Sequence, residues 1–173
     1  MRVAAGHELD APEFRQIDTI GPRALQALGL ATGLAHMEWF ARDDGTVAVS
    51  EVAARPPGAQ FTTLLSLAHG ADFYRAWARL MVHEAFEPPR RSQAAGAAYL
   101  RGLGQGRVAA IEGIDALQRE YADLIAEAHW PTPGTTQGAG YEGAGHVLFR
   151  GPDTARVAAA LRRAVELIRV KLV

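Results

Sequence analysis

The chain has 173 residues, of which 49% are hydrophobic and 21% are charged, and its formal net charge is -1. This length is enough for one ordinary soluble domain with a substantial core. The near-zero charge argues against a nucleic-acid binder, because no basic excess is present to displace counterions from phosphates. Cysteine is absent, which excludes disulfides, thiolate catalysis and cysteine zinc sites.

Two further features narrow the class of protein. No stretch approaches the roughly 18 to 20 uncharged apolar residues that span a bilayer, and residues 1–10 do not form a signal peptide. We therefore expect a cytoplasmic protein with no membrane partner. Lys171 is the only lysine among the 18 basic residues, so chemistry that needs an internal lysine, such as a Schiff base or a P-loop, is excluded.

The first half of the chain predicts a helix, a β-hairpin and two more helices. Residues 11–29 are helical in their second half, with a kink or a fresh start at Gly21-Pro22. Residues 33–55 change to a period of two, and Asp-Gly between two β-type runs is a strong hairpin signal. Helices are expected near 59–69 and 72–85, the second capped by Asp72. The apolar stripe of that second helix predicts a core face made of Phe73, Trp77, Leu80 and Met81.

The second half alternates strands and helices. Strands are expected near 95–101, 107–112, 123–129 and 146–150, and helices near 114–121 and 153–169. The segment Gly102–Gly106 lies between two strands and precedes no helix, so a hairpin turn is favoured over a phosphate-binding loop. Asp153 or Thr154 caps the last helix. The predicted buried face of that helix consists of Val157, Leu161, Val165 and Ile168.

These elements together predict an α+β fold, with a mostly antiparallel sheet and flanking helices. The connection Pro88–Ser92 is the expected boundary between residues 1–87, with the hairpin and three helices, and residues 88–173, a second α+β part. The loop from Pro131 to Gly145 is interpreted either as a mobile lid near a substrate or, more simply, as a flexible surface loop.

A pair of glutamates carries the strongest chemical signal. A two-residue loop at Asp44-Gly45 would place Glu38 directly opposite Glu51 on one face of the hairpin, where two carboxylates about 5 Å apart repel each other. Three explanations stay open: a solvated surface, a shared proton for acid–base chemistry, or a divalent cation such as Mg²⁺. The residues expected on the same face are His36, Phe40, Val49, Ala53 and Arg55.

Arg55 follows Glu51 by four residues, and a bidentate guanidinium beside a metal site suits a phosphate or an acyl-phosphate. An ion pair with Glu38 or Glu51 is the ordinary alternative, and the two roles are compatible. His36 and Glu38 share a strand face and so have the spacing of part of a zinc site. No second histidine is placed to complete such a site.

The segment GLATGLAHMEWFARDDGTVAVSEVAARPPG, residues 29–58, resembles the metal-binding core of ATP-grasp enzymes. The likeness is greatest to carboxylate–amine ligases of the L-amino acid ligase type, which show a His-x-Glu strand and a Glu-x-Ala-Ala-Arg strand. Here these motifs are His36-Met37-Glu38 and Glu51-Val52-Ala53-Ala54-Arg55. The resemblance extends more loosely through residues 94–173, which are similar to the C-terminal subdomain of that family.

The resemblance implies a role for each residue of the two motifs. Glu38 and Glu51 would hold Mg²⁺ (or Mn²⁺) that bridges the phosphates of ATP, and Arg55 would stabilise the transferring phosphoryl group or the acyl-phosphate. His36 would lie near the amino-acid substrate or the phosphates, or would simply line the sheet as a polar residue. Ala53 departs from the wider superfamily, in which many members have a metal-binding Asn there.

The resemblance also implies small-molecule carboxylate and amine substrates, joined by ATP-dependent activation. Nothing before residue 30 could supply the nucleotide-binding half of such an enzyme. We therefore expect the chain to need that half as a partner, or to be an excised domain of a longer ligase. The alternative is a non-catalytic binding or assembly module of the same fold, in which an exposed sheet face drives homo-oligomerisation. A third interpretation, a plain acid–base hydrolase that uses the carboxylate pair, lacks any nucleophile or positioned base beyond His36.

Overall fold

The computed structural model describes residues 15–140 and 142–173. These residues form two compact units, one within His7–Arg90 and one over Arg91–Val173. The start of the predicted first helix, residues 11–14, and the signal-peptide prediction for residues 1–10 lie outside the described residues. Every strand pairing described is antiparallel, and helices flank the strands, so the predicted α+β fold class is confirmed.

The unit within His7–Arg90 contains a hairpin and three helices: α1 (Arg15–Ala27), β1 (His36–Ala41), β2 (Val47–Ala53), α2 (Phe61–His69) and α3 (Phe73–His83). α1 runs through Gly21 and Pro22 as one helix, and Gly29 follows its end in the left-handed conformation that glycine tolerates. Asp72 caps α3 as predicted, since its Oδ1 accepts a hydrogen bond from the Arg75 N–H at 3.0 Å.

α3 differs from its prediction in the face that it buries. Phe73 and Leu80 are buried, but Met81 is 57% exposed. A helix turns by about 100° per residue, so Met81 lies a quarter-turn beyond Leu80 and points away from the face that packs. The predicted core position of Met81 was therefore wrong.

The unit over Arg91–Val173 contains five strands and two helices in its described residues: β3 (Ala94–Leu100), β4 (Val108–Glu112), α4 (Ile114–Tyr121), β5 (Ile125–His129), β6 (Gly145–Gly151), α5 (Thr154–Leu167) and β7 (Arg169–Leu172). One sheet has the order β3-β6-β5, and β4 pairs with β7 in a second sheet. β7 was missed by the sequence analysis, because its few residues follow α5 directly and continue the apolar pattern of that helix.

The core of this unit forms where α5 covers the three-stranded sheet. Val157, Ala160 and Ala164 of α5 are fully buried, as are Val147 and Phe149 of β6. The small alanines bring the helix close to the sheet. Val165 follows Ala164, lies about 100° around the helix from it, and is 64% exposed. The predicted burial of Val165 was wrong for this reason.

The Gly102–Gly106 segment is not a hairpin turn, because β3 and β4 belong to different sheets. It is instead tied to the loop at 131–144 by Gln137, which is buried and bonds Gly102 N–H, Gly102 O and Gly104 O at 2.7, 3.1 and 3.0 Å. Arg107, the residue after this segment, forms an isolated β-bridge with Thr136 of the same loop. Among the described residues, no helix has the length and apolar character needed to cross a membrane.

Candidate metal and phosphate site

The hairpin turn that positions the two glutamates is longer than predicted. Arg42 N–H donates to Thr46 O at 2.8 Å, and Gly45 N–H donates to Arg42 O at 2.9 Å. Three residues therefore lie in the loop, with Gly45 in the left-handed conformation at φ 78°. Three-residue hairpin loops commonly combine a type I turn with a left-handed glycine in this way. The two-residue loop was the wrong prediction.

A β-bulge on β2 restores the register at the carboxylates. The pairing shifts between Glu38 and Trp39, so that Trp39 lies opposite Val49 while Glu38 lies opposite Glu51. Ser50 is the extra residue of the bulge, and it compensates for the extra residue of the loop. The predicted opposition of Glu38 and Glu51 is therefore confirmed. Val49 pairs with Trp39 on the other face, so its predicted place beside the carboxylates was wrong.

Both carboxylates are exposed. Within residues 15–140 and 142–173, neither Glu38 nor Glu51 forms a salt bridge. Like charges directly opposite each other on paired strands destabilise the pairing. Among the described residues the two carboxylates therefore have no ion-pair partner, and they offer oxygen donors of the kind that Mg²⁺ and Mn²⁺ prefer.

Arg55 lies beyond the end of β2, because the strand stops at Ala53. The Arg55 N–H donates to Ala53 O at 3.0 Å in a tight turn, so the strand alternation that was expected to place Arg55 beside the glutamates does not reach it. Its Nη1 donates to Pro56 O at 3.0 Å, and the side chain is exposed. The alternative ion pair with Glu38 or Glu51 is absent from the salt bridges of the described residues.

His36 begins β1 opposite Ala53 and, by strand alternation, shares a face with Glu38. Its Nδ1 is buried and has no hydrogen-bond partner among the described residues. Its ring lies 6.3 Å from that of Phe61, centroid to centroid. Most buried polar atoms are hydrogen-bonded, so the imidazole has an unused donor or acceptor.

A strained turn follows Arg55, and it was not predicted from the sequence. Ala59 and Gln60 adopt left-handed conformations at φ 52° and 61°, which is unusual for two successive residues other than glycine. Such strain is often found at functional sites. The only signal in the sequence is Pro56-Pro57-Gly58, which predicts the end of a strand but does not specify the backbone beyond it.

A second polar group lies in the other unit. His129 and His146 are opposite each other on β5 and β6, with ring centroids 5.9 Å apart, and His146 Nε2 lies 3.7 Å from Glu127 Oε1. The sequence gives no hint of this pairing, since 17 positions separate the two histidines. No group of three or more His, Asp or Glu side chains in the described part of the chain is arranged to hold a metal ion.

Comparison with known proteins finds similarity in structure only. No family model matches the chain, and no curated protein sequence matches it significantly. Among solved structures, the L-amino acid ligase from Bacillus licheniformis matches with a TM-score of 0.77 and 19% identity, over 99% of this chain and 43% of that chain.

Two synthetases match in the same way. Phosphoribosylglycinamide synthetase from Anaerococcus prevotii gives a TM-score of 0.69 with 16% identity, over 93% of this chain and 42% of that one. N5-carboxyaminoimidazole ribonucleotide synthetase from Thermotoga maritima gives 0.68 with 19% identity, over 94% of this chain and 44% of that one. The chain thus spans less than half the length of each of these enzymes, and the identities are low enough that the likeness establishes the fold alone.

Proposed function

The chain has the fold of the C-terminal part of ATP-grasp enzymes, and from this premise we propose that it is the metal- and phosphate-binding part of an ATP-dependent carboxylate–amine ligase. Glu38 and Glu51 are the proposed metal ligands, and Arg55 and His36 are the proposed contacts to phosphate and substrate. The observation that carries the proposal is the direct opposition of two exposed glutamates without a salt bridge in the described residues.

The chemistry of the two glutamates fits a hard divalent cation. Their carboxylates repel each other across the ladder, and a cation between them removes that repulsion while gaining two anionic oxygen ligands. Mg²⁺ usually takes only one or two carboxylates and completes its shell with water and substrate phosphates. A site of two carboxylates therefore agrees with the absence of a larger ligand cluster in the described part of the chain.

Bound Mg²⁺ would supply charge neutralisation for the phosphates of ATP. Arg55 presents a guanidinium with five N–H donors, of which Pro56 O accepts from one nitrogen, so donors remain for a phosphoryl or acyl-phosphate oxygen. His36 is the proposed neighbour of the substrate, and its buried Nδ1 has no hydrogen-bond partner among the described residues. The roles of these side chains are thus to bind, orient and neutralise.

The proposed whole reaction joins a carboxylate to an amine. A carboxylate oxygen attacks the γ-phosphorus of ATP and ADP leaves; the amine then attacks the acyl carbon, phosphate leaves and the amine loses a proton. L-amino acid ligase is one of the matched structures, which supports amino acids as the substrate class. We further propose that turnover requires a nucleotide-binding half, since the chain matches less than half of that enzyme.

Thermal unfolding with and without Mg²⁺ tests the metal site on the chain alone. Without metal, Glu51→Gln should raise Tm by about 1–4 °C, because it removes the repulsion with Glu38. With Mg²⁺ and inorganic tripolyphosphate, the wild type should gain a few degrees by linkage, and Glu51→Gln should gain almost nothing. A variant that is more stable than the wild type without metal, yet gains nothing from metal, has lost a ligand and has not been destabilised in general.

Glu87→Gln is the matched control, because Glu87 is an exposed glutamate of the same unit outside the hairpin. It should respond to metal as the wild type does. The metal site is refuted if the wild-type Tm is unchanged by Mg²⁺ or Mn²⁺ with tripolyphosphate, or if the double variant Glu38→Gln/Glu51→Gln keeps the full response. A non-catalytic assembly module of the same fold would then be the better interpretation.

A further inference from the structure

Thr62 is the only fully buried polar residue described in the unit that contains the candidate site, with 0% exposure. It lies in the first turn of α2, and its hydroxyl donates to Pro57 O at 3.1 Å. A buried hydroxyl that faced no acceptor would destabilise the fold. The side chain is therefore committed to this one carbonyl, two residues after Arg55.

The turn that Thr62 holds is the turn that holds Arg55. Arg55 Nη1 donates to Pro56 O at 3.0 Å, and Thr62 Oγ1 donates to the next carbonyl, that of Pro57. The pyrrolidine ring fixes φ of Pro57, so ψ of Pro57 is the single soft backbone dihedral between the two carbonyls. Fixing the orientation of the Pro57 carbonyl therefore restricts the Pro56 carbonyl against which the guanidinium rests.

The remainder of the turn needs such an anchor, because its backbone is strained. Ala59 and Gln60 are both left-handed. The Gln60 side chain caps no backbone N–H of α2, although it accepts a hydrogen bond from the Thr63 hydroxyl. Left-handed residues other than glycine are strained and persist only where the surroundings enforce them. The Thr62 hydroxyl spans this strained stretch, from the first turn of the helix back to Pro57.

α2 is itself fixed by a second hydroxyl, which makes Thr62 a rigid anchor. Ser66 Oγ donates to Thr62 O at 2.9 Å and accepts from the Phe73 N–H at 3.0 Å. The same helix also brings Phe61 beside the His36 ring. The first turn of α2 thus contacts the turn beside Arg55 through Thr62 and the His36 ring through Phe61.

We propose that Thr62 is a positioning residue for Arg55: its buried hydroxyl fixes the Pro56–Pro57 turn and thereby the direction of the Arg55 guanidinium. The proposal rests on the proposed function in one respect: the guanidinium is directed toward a phosphate oxygen. It assigns Thr62 no contact with substrate or metal.

Thr62→Val tests the proposal, because valine keeps the shape of threonine and removes the donor. Thr62→Ser keeps the donor and should restore the wild-type behaviour. Thr63→Val is the matched control: Thr63 is the neighbouring threonine, and its hydroxyl donates to the Gln60 side chain at 2.9 Å instead of to a backbone carbonyl of the Pro56–Pro57 turn.

Two readouts separate positioning from the proposed function. The first is the ¹⁵N–¹H resonance of Arg55 Nε without any ligand, which should shift or broaden in Thr62→Val but not in Thr62→Ser or Thr63→Val. The second is calorimetric affinity for inorganic tripolyphosphate with Mg²⁺, which should weaken about 2- to 10-fold in Thr62→Val, the size expected for one hydrogen bond.

The outcomes are distinct. If the wild type fails to bind tripolyphosphate but the Arg55 resonance responds as expected, the positioning role stands and the proposed function fails. If the Arg55 resonance is unchanged in Thr62→Val, the positioning role is wrong. It is also wrong if Thr62→Ser is as impaired as Thr62→Val, because packing rather than the hydroxyl would then be responsible.

Discussion

Asp44 shows how a single side chain stabilises the turn that sets the candidate site. Its Oδ1 accepts hydrogen bonds from the Thr46 N–H at 2.9 Å and from the Thr46 hydroxyl at 2.6 Å. These bonds, the hydroxyl first, hold the pKa of the Asp44 carboxyl below its ordinary value of 3.8. They favour the ionised form, because a carboxylate is a better acceptor than a carboxylic acid.

The sign of the pH dependence follows from this lowered pKa. The unfolded chain binds the proton more readily than the folded one, so the contribution of Asp44 to stability is fully present above the ordinary carboxyl pKa. It is lost as the pH falls through the lower, folded value. An NMR titration should therefore place the midpoint for Asp44 below 3.8. A midpoint at or above that value would contradict the two hydrogen bonds.

Hairpin register is the clearest case, at the level of elements, of what sequence can and cannot predict. Asp44-Gly45 correctly indicates a turn, but the same dipeptide occurs in two-residue loops and at the end of three-residue loops. The bulge at Ser50 has no marker in the sequence, because serine is tolerated equally in a regular strand. Glu38 and Glu51 came out opposite each other because the errors in loop length and in strand regularity cancel.

Helix faces show the same limit. The apolar pattern of α3 correctly predicts a helix, yet both sides of it are apolar, and only packing decides that Leu80 is buried and Met81 is not. In α5, small residues complete the buried face, so Ala160 and Ala164 pack where Val165 was expected. Hydrophobicity alone cannot recognise alanine as a core residue, because alanine is common on both faces of helices.

Gln137 joins two loops that no pattern in the sequence connects, and the strength of this connection can be measured. Gln137→Leu removes all three of its hydrogen bonds and leaves the Gly102 N–H without its acceptor in a buried place. An unsatisfied buried donor costs about 1–3 kcal/mol, so the free energy of unfolding measured with denaturant should fall by about that amount. Thr135→Ala is the control, because the hydrogen bond from the Thr135 hydroxyl to Thr132 O is exposed. Equal effects of the two variants would contradict the stabilising role of the buried Gln137 hydrogen bonds.

At the level of the whole molecule, the fold class and the carboxylate pair were accessible from sequence, whereas the arrangement of strands into sheets was not. Local signals such as Asp-Gly, Asp72 and Asp153 specify where elements begin and turn. The pairing of β4 with β7 and of β3 with β6 joins segments that lie far apart along the chain. Such pairing depends on the side chains that the strands bury together, such as Val108 of β4. No short sequence motif marks this kind of pairing.

The division into two units gives a prediction for the whole chain. All four candidate site residues, His36, Glu38, Glu51 and Arg55, lie within His7–Arg90. Binding slows hydrogen exchange most where it stabilises locally opened states. Mg²⁺ with tripolyphosphate should therefore slow exchange in residues 36–53 and leave the sheet β3-β6-β5 unchanged, as measured by mass spectrometry.

Glu51→Gln should abolish that protection. In the absence of metal, the same substitution should leave hydrogen exchange outside the hairpin unchanged. Protection that instead appeared around His129 and His146 would move the metal site to the other unit, where two imidazoles face each other near Glu127. The contrast is decisive because the two places offer different donors. Exposed carboxylate oxygens favour Mg²⁺, whereas imidazole nitrogens favour transition metals and bind Mg²⁺ poorly, so protection by Mg²⁺ in the hairpin alone would identify the carboxylates as its ligands.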